Sequence, residues 1–281
     1  MCDAKLKTVL SLFSPVASKL DALSSNGPAT DANCVKLNTN ENPFPLPKSV
    51  MQSAIAAIEH QYLYPEDDNL SLRAAASDTY GFSKDQVIAG NGSSELLGLI
   101  YRAFLAPGDR VAMLSPGFSF NRKLAMLQGA EFLEIASSEA HAAAGVRVGF
   151  GFGHPEIIGR LRNIQNVFNM NVIGQAVGKS ILAHRHAYEE NHRHIKHERQ
   201  RVTLALLQLG FSVTPSHANF LLARVPAGQE GSCWQAALKE QKILIASFPD
   251  IDLKNCIRVS IGTTEQMDKF LAAAKNVCMN V

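Results

Sequence analysis

No apolar run in this chain of 281 residues approaches the length of a membrane span. No C-x-x-C pair occurs either. The five cysteines (Cys2, Cys34, Cys233, Cys256 and Cys278) are odd in number and scattered, which argues against a disulfide framework and for reduced thiols in a cytoplasm. The formal net charge is only +2, and no dense basic stripe or interleaved aromatics accompany it, so a nucleic-acid surface is excluded. Internal repeats and low-complexity tracts are lacking as well. The apolar stretch at 9–13 follows Lys5 and Lys7 but is short and interrupted by Pro15, so no secretory signal is read there. The expectation is a soluble cytoplasmic protein.

What is present suits a globular enzyme or binding protein: 46% hydrophobic and 19% charged residues, in a chain long enough for one large domain or two modest ones. Residues 21–34 are polar and turn-rich, and the three prolines at 43, 45 and 47 exclude helix there. Elements then alternate. Helices are predicted at 48–60, 69–80, 93–105 and 119–128, with strands at 86–90, 110–114, 131–135 and 146–150. That alternation implies an α/β layer with a largely parallel sheet. Ile181, Tyr188, Ile195, Val202 and Leu209 recur every seven positions and predict one long helix over 176–209, stopped by Gly210. A small α+β unit follows, with strands at 218–225, 243–247 and 257–261 and helices at 231–241 and 264–276. The organisation read from this is an N-terminal segment (1–45), a first lobe (46–170), and a long helix with a C-terminal lobe (171–281).

Gly90-Asn91-Gly92-Ser93-Ser94-Glu95 lies between a strand and an apolar helix. Glycines permit a sharp turn, and a helix start offers unpaired N–H groups to an anion. Ser93 would serve equally as a helix cap, and spacing alone leaves cap and phosphate cup both open. Arg147, on a predicted strand, has the planar fork that grips phosphate, though a structural ion pair uses the same fork. Phe118 follows a strand at the end where open α/β sheets bind ligands. His184, His186, His192, His194 and His197 share one helix without a carboxylate or cysteine pattern of metal type. They read as a solvated face, and no metal is assigned.

Seven stretches in order resemble the histidinol-phosphate aminotransferase family of fold-type-I enzymes that use pyridoxal 5'-phosphate (PLP). They are Lys36-Leu37-Asn38-Thr39-Asn40-Glu41-Asn42-Pro43, Tyr64-Pro65 before Leu70-Ser71-Leu72-Arg73, and Gly90 to Glu95. After these come Pro107-Gly108-Asp109, Ala144-Gly145-Val146-Arg147-Val148-Gly149, Ala218-Asn219-Phe220 and Ile257-Arg258-Val259-Ser260-Ile261-Gly262-Thr263. The resemblance implies an α/β large domain with a shortened sheet and helices on both faces, plus a small α+β C-terminal domain. By the same resemblance, Ser93, Ser94 and Arg147 hold the cofactor phosphate and Phe118 stacks on its ring. Tyr64 reaches into a partner's site, which implies a homodimer. Arg258 binds the substrate carboxylate, with Asn169 and Asn42 lining the same pocket. The substrates implied are an amino donor, histidinol phosphate or another amino acid, and a 2-oxo acid.

The departures concern the reactive half of the site. Counting back from the phosphate arginine, Glu139 stands where the family carries its Schiff-base lysine, and a carboxylate cannot condense with an aldehyde. The Asn-Pro-x-x-Pro-Thr-Gly and Asp-Glu-Ala-Tyr stretches have no counterpart. Ala246 replaces an arginine used on the substrate phosphate, and Val16 replaces a tyrosine. The family's large sheet runs 3-2-4-5-6-7-1 with strand 7 antiparallel, and strands 4, 5 and 6 are missing here. Their loss splits the sheet unless strands 2 and 7 pair directly, which a linker of about ten residues, reaching ~35 Å when extended, is long enough to allow. Three readings follow: an aminotransferase by descent with little or no turnover, a non-catalytic homodimer binding PLP or another phosphorylated ligand, or an internally deleted relic.

Overall fold

The computed structural model describes residues 11–20, 33–115, 117–118, 120–136, 147–249 and 252–280. In chain order the elements are α1 (Pro15–Lys19), β1 (Val35–Lys36), α2 (Lys48–Ile58), α3 (Leu70–Tyr80), β2 (Val87–Gly90), α4 (Ser93–Phe104), β3 (Arg110–Ser115), α5 (Phe120–Leu127), β4 (Glu131–Ala136) and β5 (Gly149–Phe152). The second half supplies α6 (Pro155–Asn163), α7 (Val172–Ala183), α8 (Glu189–Gln208), β6 (Ser212–Val213), β7 (Phe220–Arg224), α9 (Gly231–Glu240), β8 (Ile243–Leu244), β9 (Ala246–Ser247), β10 (Cys256–Ser260) and α10 (Thr264–Asn280).

The predicted alternation from 48 to 135 is present element for element, but its strands do not form one shortened sheet. β2 pairs antiparallel with β5, Ile88 opposite Gly151, while β3 pairs parallel with β4, Val111 opposite Phe132. Among the described residues these are two separate two-stranded sheets. Direct pairing of β3 with β5 does not occur, so the sheet is split where the central strands are missing. Helix α4 spans the split. Leu96 and Leu99 pack with Ile88 of β2 and with Ile158 and Leu161 of α6. Tyr101 and Leu97, on another side of the helix, pack with Leu124 and Ala125 of α5 and with Val111 and Phe132. Each fully buried side chain of this size contributes about 1.5–3 kcal/mol, so the helix is the main tie between the strand pairs.

Three further elements differ from expectation. α6 is additional, although its signals are local: Pro155 at the first turn with Glu156, and Arg160 and Arg162 in the last turn, each complementing the helix dipole. The single helix over 176–209 is instead α7 and α8. His184 leaves helical geometry at φ −113°, ψ 26°, a short 3-10 turn covers Arg185–Tyr188, and the His184 Nδ1 sits 2.9 Å from the Ser180 carbonyl. α7 must lie against α2 and α3, with Ser180 Oγ 3.0 Å from Ser53 Oγ, while Val202 and Leu206 of α8 are buried in the C-terminal core. One straight rod cannot do both. The expected strand at 243–247 is likewise two: β8 runs parallel to β1, and β9 runs antiparallel to β10 in the four-stranded order β6-β7-β10-β9.

The largest core surrounds Trp234, Phe270, Ile257 and Leu206, and it takes in Leu37 from the N-terminal segment. On the first lobe Arg73, almost fully buried, is the central polar tie. Its Nε donates to the Val87 carbonyl at 2.7 Å, its Nη2 to the Lys84 carbonyl at 2.6 Å, and its Nη1 to Asp68 at 2.6 Å, while Arg162 of α6 also binds Asp68. A guanidinium fork serves three acceptors there; an ammonium would not.

A second buried charge locks α8 to α10. The Glu198 carboxylate accepts from Arg201 at 2.6 Å and from the Thr264 hydroxyl at 3.2 Å, and Arg201 also reaches Asp268 at 2.8 Å. Burial raises the Glu198 pKa, but the hydrogen bonds and charge of Arg201 outweigh burial and hold it below the ordinary 4.5. A carboxyl depressed in the folded state stabilises the fold above its unfolded pKa, and that stabilisation is lost as pH falls through the folded value. Glu198→Gln is therefore expected to cost about 2 kcal/mol at pH 7 in urea unfolding. Below pH 4.5 the difference from the parent protein should shrink; a difference constant with pH would refute the assignment.

Candidate functional site

The chain turns from β2 into α4 at Gly92, whose φ of 82° favours glycine. Gly92, not Ser93, is the helix cap, and it brings no side chain to satisfy the first-turn N–H groups. Ser93 is the first helical residue, so its cap reading is set aside and its exposed hydroxyl stands beside open backbone donors. Arg147 closes the other side. It is not on a strand as expected: β5 begins at Gly149, and Arg147 sits before it with φ 57°, a left-handed conformation unusual for a branching side chain. That conformation accompanies a guanidinium laid against the turn. Nη2 donates to the Asn91 carbonyl at 3.0 Å, and a Cβ added at Gly92 would meet Arg147 Cζ at 3.0 Å. Gly149 completes the fit, because a Cβ there would stand 2.7 Å from both Gly92 C and Ser93 N.

The turn is braced from beneath by residues that sequence reasoning gave no such role. The Glu95 carboxylate accepts from the Asn91 N–H at 2.5 Å and from the Asn169 amide at 2.9 Å, and Gln165 donates to the Ala89 carbonyl at 2.9 Å. The Asn169 oxygen accepts from Asn69 at 2.8 Å. Asn169 thus lies beside the cup, with both polar ends engaged inside the protein. The available signal was a glutamate three residues after the cap, the spacing of a residue that folds back on a helix start. Tyr64 is exposed and stacks on Phe168, with ring centroids 4.7 Å apart, and Phe168 is itself left-handed at φ 56°. Phe118 is exposed beyond β3, its ring 5.8 Å from that of Phe120. Glu139 lies outside the described residues.

A separate polar cluster forms where residues 38–42 cross β10. Arg258 Nη2 donates to the Asn38 carbonyl at 2.8 Å, and its Cζ is 5.8 Å from the Phe220 ring centroid. Its Nε, together with Asn38 Oδ1 and Thr39 Oγ1, is buried without a partner, and burial pushes the guanidinium below its ordinary pKa. Of these, Nε is an unpaired cationic donor of the kind that suits an anion such as a carboxylate, whereas Asn38 Oδ1 is an unpaired acceptor. Asn42 is exposed nearby in sequence and uses its side-chain oxygen on the Phe44 N–H at 3.2 Å. Ala246 stands directly across the ladder from Arg258. His194, expected on a solvated face, is half-buried. Its Nε2 is 3.2 Å from the Gly262 carbonyl, and its ring lies edge-on to Phe44. Among the described residues no hydrogen bond or ring contact joins this cluster to the cup.

The turn joins an uncapped helix start, the first-turn residues Ser93 and Ser94 and a guanidinium, and it leaves no room for a Cβ at Gly92 or Gly149. Gly149→Ala is expected to destabilise the protein by about 1–3 kcal/mol in urea unfolding and to weaken inorganic phosphate binding by calorimetry. Gly159→Ala in α6, where an added Cβ meets nothing within 4 Å, should be neutral or stabilising. Equal behaviour of the two variants would dismiss the tight cup.

Comparison with known proteins shows the family of the chain. The model for aminotransferases of class I and II matches residues 32–141 and 136–273, two segments that meet at 136–141. Histidinol-phosphate aminotransferase 3 of Mesorhizobium japonicum is 58% identical over 358 residues, taking in 99% of this chain and 97% of the relative. The histidinol-phosphate aminotransferase of Sinorhizobium fredii is 54% identical with the same coverage. Since 358 less 281 is 77, at least 77 positions of the Mesorhizobium protein have no counterpart in this chain. Among solved structures, the Sinorhizobium meliloti histidinol-phosphate aminotransferase in complex with PLP superposes with a TM-score of 0.86 at 19% identity, over 96% of this chain and 98% of that one. The histidinol-phosphate aminotransferase of Clostridium acetobutylicum gives 0.79 at 20% identity, over 88% and 99%. By sequence and by fold, the chain belongs to the PLP-dependent aminotransferases of class I and II.

Proposed function

We propose that this chain is a protein of the histidinol-phosphate aminotransferase type that holds PLP by its phosphate without a covalent lysine and, alone, turns over negligibly. The observation that carries this reading is the Arg147 guanidinium against the uncapped Gly92–Ser93 turn. The Ser93 and Ser94 hydroxyls and the first-turn N–H groups donate to phosphate oxygens, and Arg147 adds a charged fork. Glu95, through Asn91 and Asn169, keeps the turn in shape before any ligand arrives. Arg258, with its unpaired Nε, is the seat for the carboxylate of an amino acid or 2-oxo acid. Phe118 is the candidate ring-stacking residue.

PLP supplies an aldehyde that reacts with amines and a ring that accepts an electron pair. What the chain lacks is a lysine amine that could form an imine with that aldehyde: the lysine position is Glu139, whose carboxylate cannot condense with it. The names of the relatives point to histidinol phosphate as amino donor, while Ala246 removes the positive charge expected for its phosphate, so another amino acid fits the pocket equally well.

A homodimer in the cytoplasm is part of the same reading. Met51, Ile55 and Ile58 stand exposed along α2, and Tyr62, Leu63 and Tyr64 continue the apolar strip beyond it. Contiguous apolar surface of this kind marks an interface. Among the described residues no helix is long and apolar enough to cross a membrane.

PLP should bind saturably, and borohydride reduction followed by peptide mass spectrometry should find no pyridoxyl-lysine. Arg147→Ala should weaken binding about 10- to 100-fold, the loss of 1.5–3 kcal/mol expected for hydrogen bonds to a charged group. A single labelled lysine would overturn the non-covalent reading, and an unchanged affinity would remove Arg147 from the site. Sedimentation equilibrium should show a dimer that Ile55→Lys dissociates; a parent monomer at tens of micromolar would end the dimer proposal.

A further inference from the structure

The outer edge of β5 is built like the inside of a sheet. Its sequence, Gly149-Phe150-Gly151-Phe152, holds no charge and no proline, the devices that normally protect an edge strand. The Gly153 N–H bonds to the Gln86 carbonyl at 3.1 Å, which sets the antiparallel alternation. Gly149 and Gly151 therefore face β2, and the N–H and C=O groups of Phe150 and Phe152 face the open edge. Beside that edge α4, β5 and α6 enclose an apolar cavity of about 170 Å³. Ile100 and Phe104 of α4, Phe152, and Ile157 of α6 line it and remain exposed. A two-stranded sheet is marginal by itself, and here, among the described residues, unpaired backbone adjoins uncovered apolar surface.

The Mesorhizobium relative carries positions that this chain lacks. At least 77 of its positions have no counterpart, and the two family matches meet at 136–141, between β4 and β5. A second copy of this chain lacks the same positions and cannot supply them. We infer that the open edge of β5 and the adjoining apolar cavity form a docking site for a strand-bearing polypeptide supplied in trans, equivalent to that absent segment. Its strand would bond to the backbone of Phe150 and Phe152, and its apolar face would cover Ile100, Phe104 and Ile157.

The test uses the full 281-residue chain and, as a separate tagged polypeptide on a soluble carrier, the part of the Mesorhizobium protein that lies opposite the join. Fluorescence anisotropy should show saturable binding, and hydrogen exchange should show the Phe150 and Phe152 amides protected on mixing. Ile100→Lys and Ile157→Lys, both at exposed positions, should each weaken binding at least tenfold while leaving the thermal unfolding midpoint unchanged. Binding absent at 50 μM (a concentration about 50 times a micromolar Kd), or binding without protection of the two amides, overturns the proposal. So does concentration-dependent protection in the chain alone, which would assign the edge to a second copy. PLP binding by the isolated chain rests on Arg147 and stands or fails independently of this result.

Discussion

The two strand pairs between residues 87 and 152 are held together by helix α4. Its N-terminus presents the uncapped donors of the phosphate cup, Leu96 and Leu99 fasten it to β2 and α6, and Tyr101 and Leu97 fasten it to the β3–β4 pair and α5. In a continuous sheet such a helix would merely cover strands already joined by hydrogen bonds. Here no ladder connects the two strand pairs among the described residues, so side-chain packing on α4 replaces backbone pairing. Hydrophobic packing is non-directional and tolerates the loss of a neighbour better than a ladder does.

The binding end and the reactive end of the site have different physical requirements, and they fare differently. A phosphate needs backbone donors, a guanidinium and an absence of bulk, all of which come from residues 90–95 and 147–149. Bracing comes from the Glu95 carboxylate and the half-buried Asn169, whose amide oxygen accepts from the buried Asn69. Covalent chemistry needs one particular amine at one particular place, and nothing nearby substitutes by shape alone. Left-handed backbone at Arg147, Phe168 and Asn40 falls at the cup, beside Tyr64, and in the loop against Ser260. Strain of this kind persists only where surrounding contacts over-determine it.

The alternation of helices and strands from 48 to 135, the glycine turn into an apolar helix, and the order of the seven family stretches were legible because each is a local pattern. Period, turn chemistry and short spacing need no knowledge of distant residues. The continuous helix over 176–209 was misread for the same reason: a seven-residue stripe continues through His184, while the break serves two surfaces that the stripe cannot see. Arg147 was placed on a strand by its valine neighbours, yet its conformation answers to Gly92, which lies far away in sequence. The partners of Asn169 on β2, α4 and the turn before α3 come from segments remote in the chain and were not legible in the sequence.

By itself the sequence determined the family and the α/β class, since both reside in the identity and order of residues. Tertiary structure alone decided that the strand pairs stay apart, that Gly92 rather than Ser93 caps α4, and that Arg147 closes the cup. Those outcomes depend on which backbone comes within hydrogen-bond or van der Waals distance of which, and such distances are set by packing between segments remote in the chain.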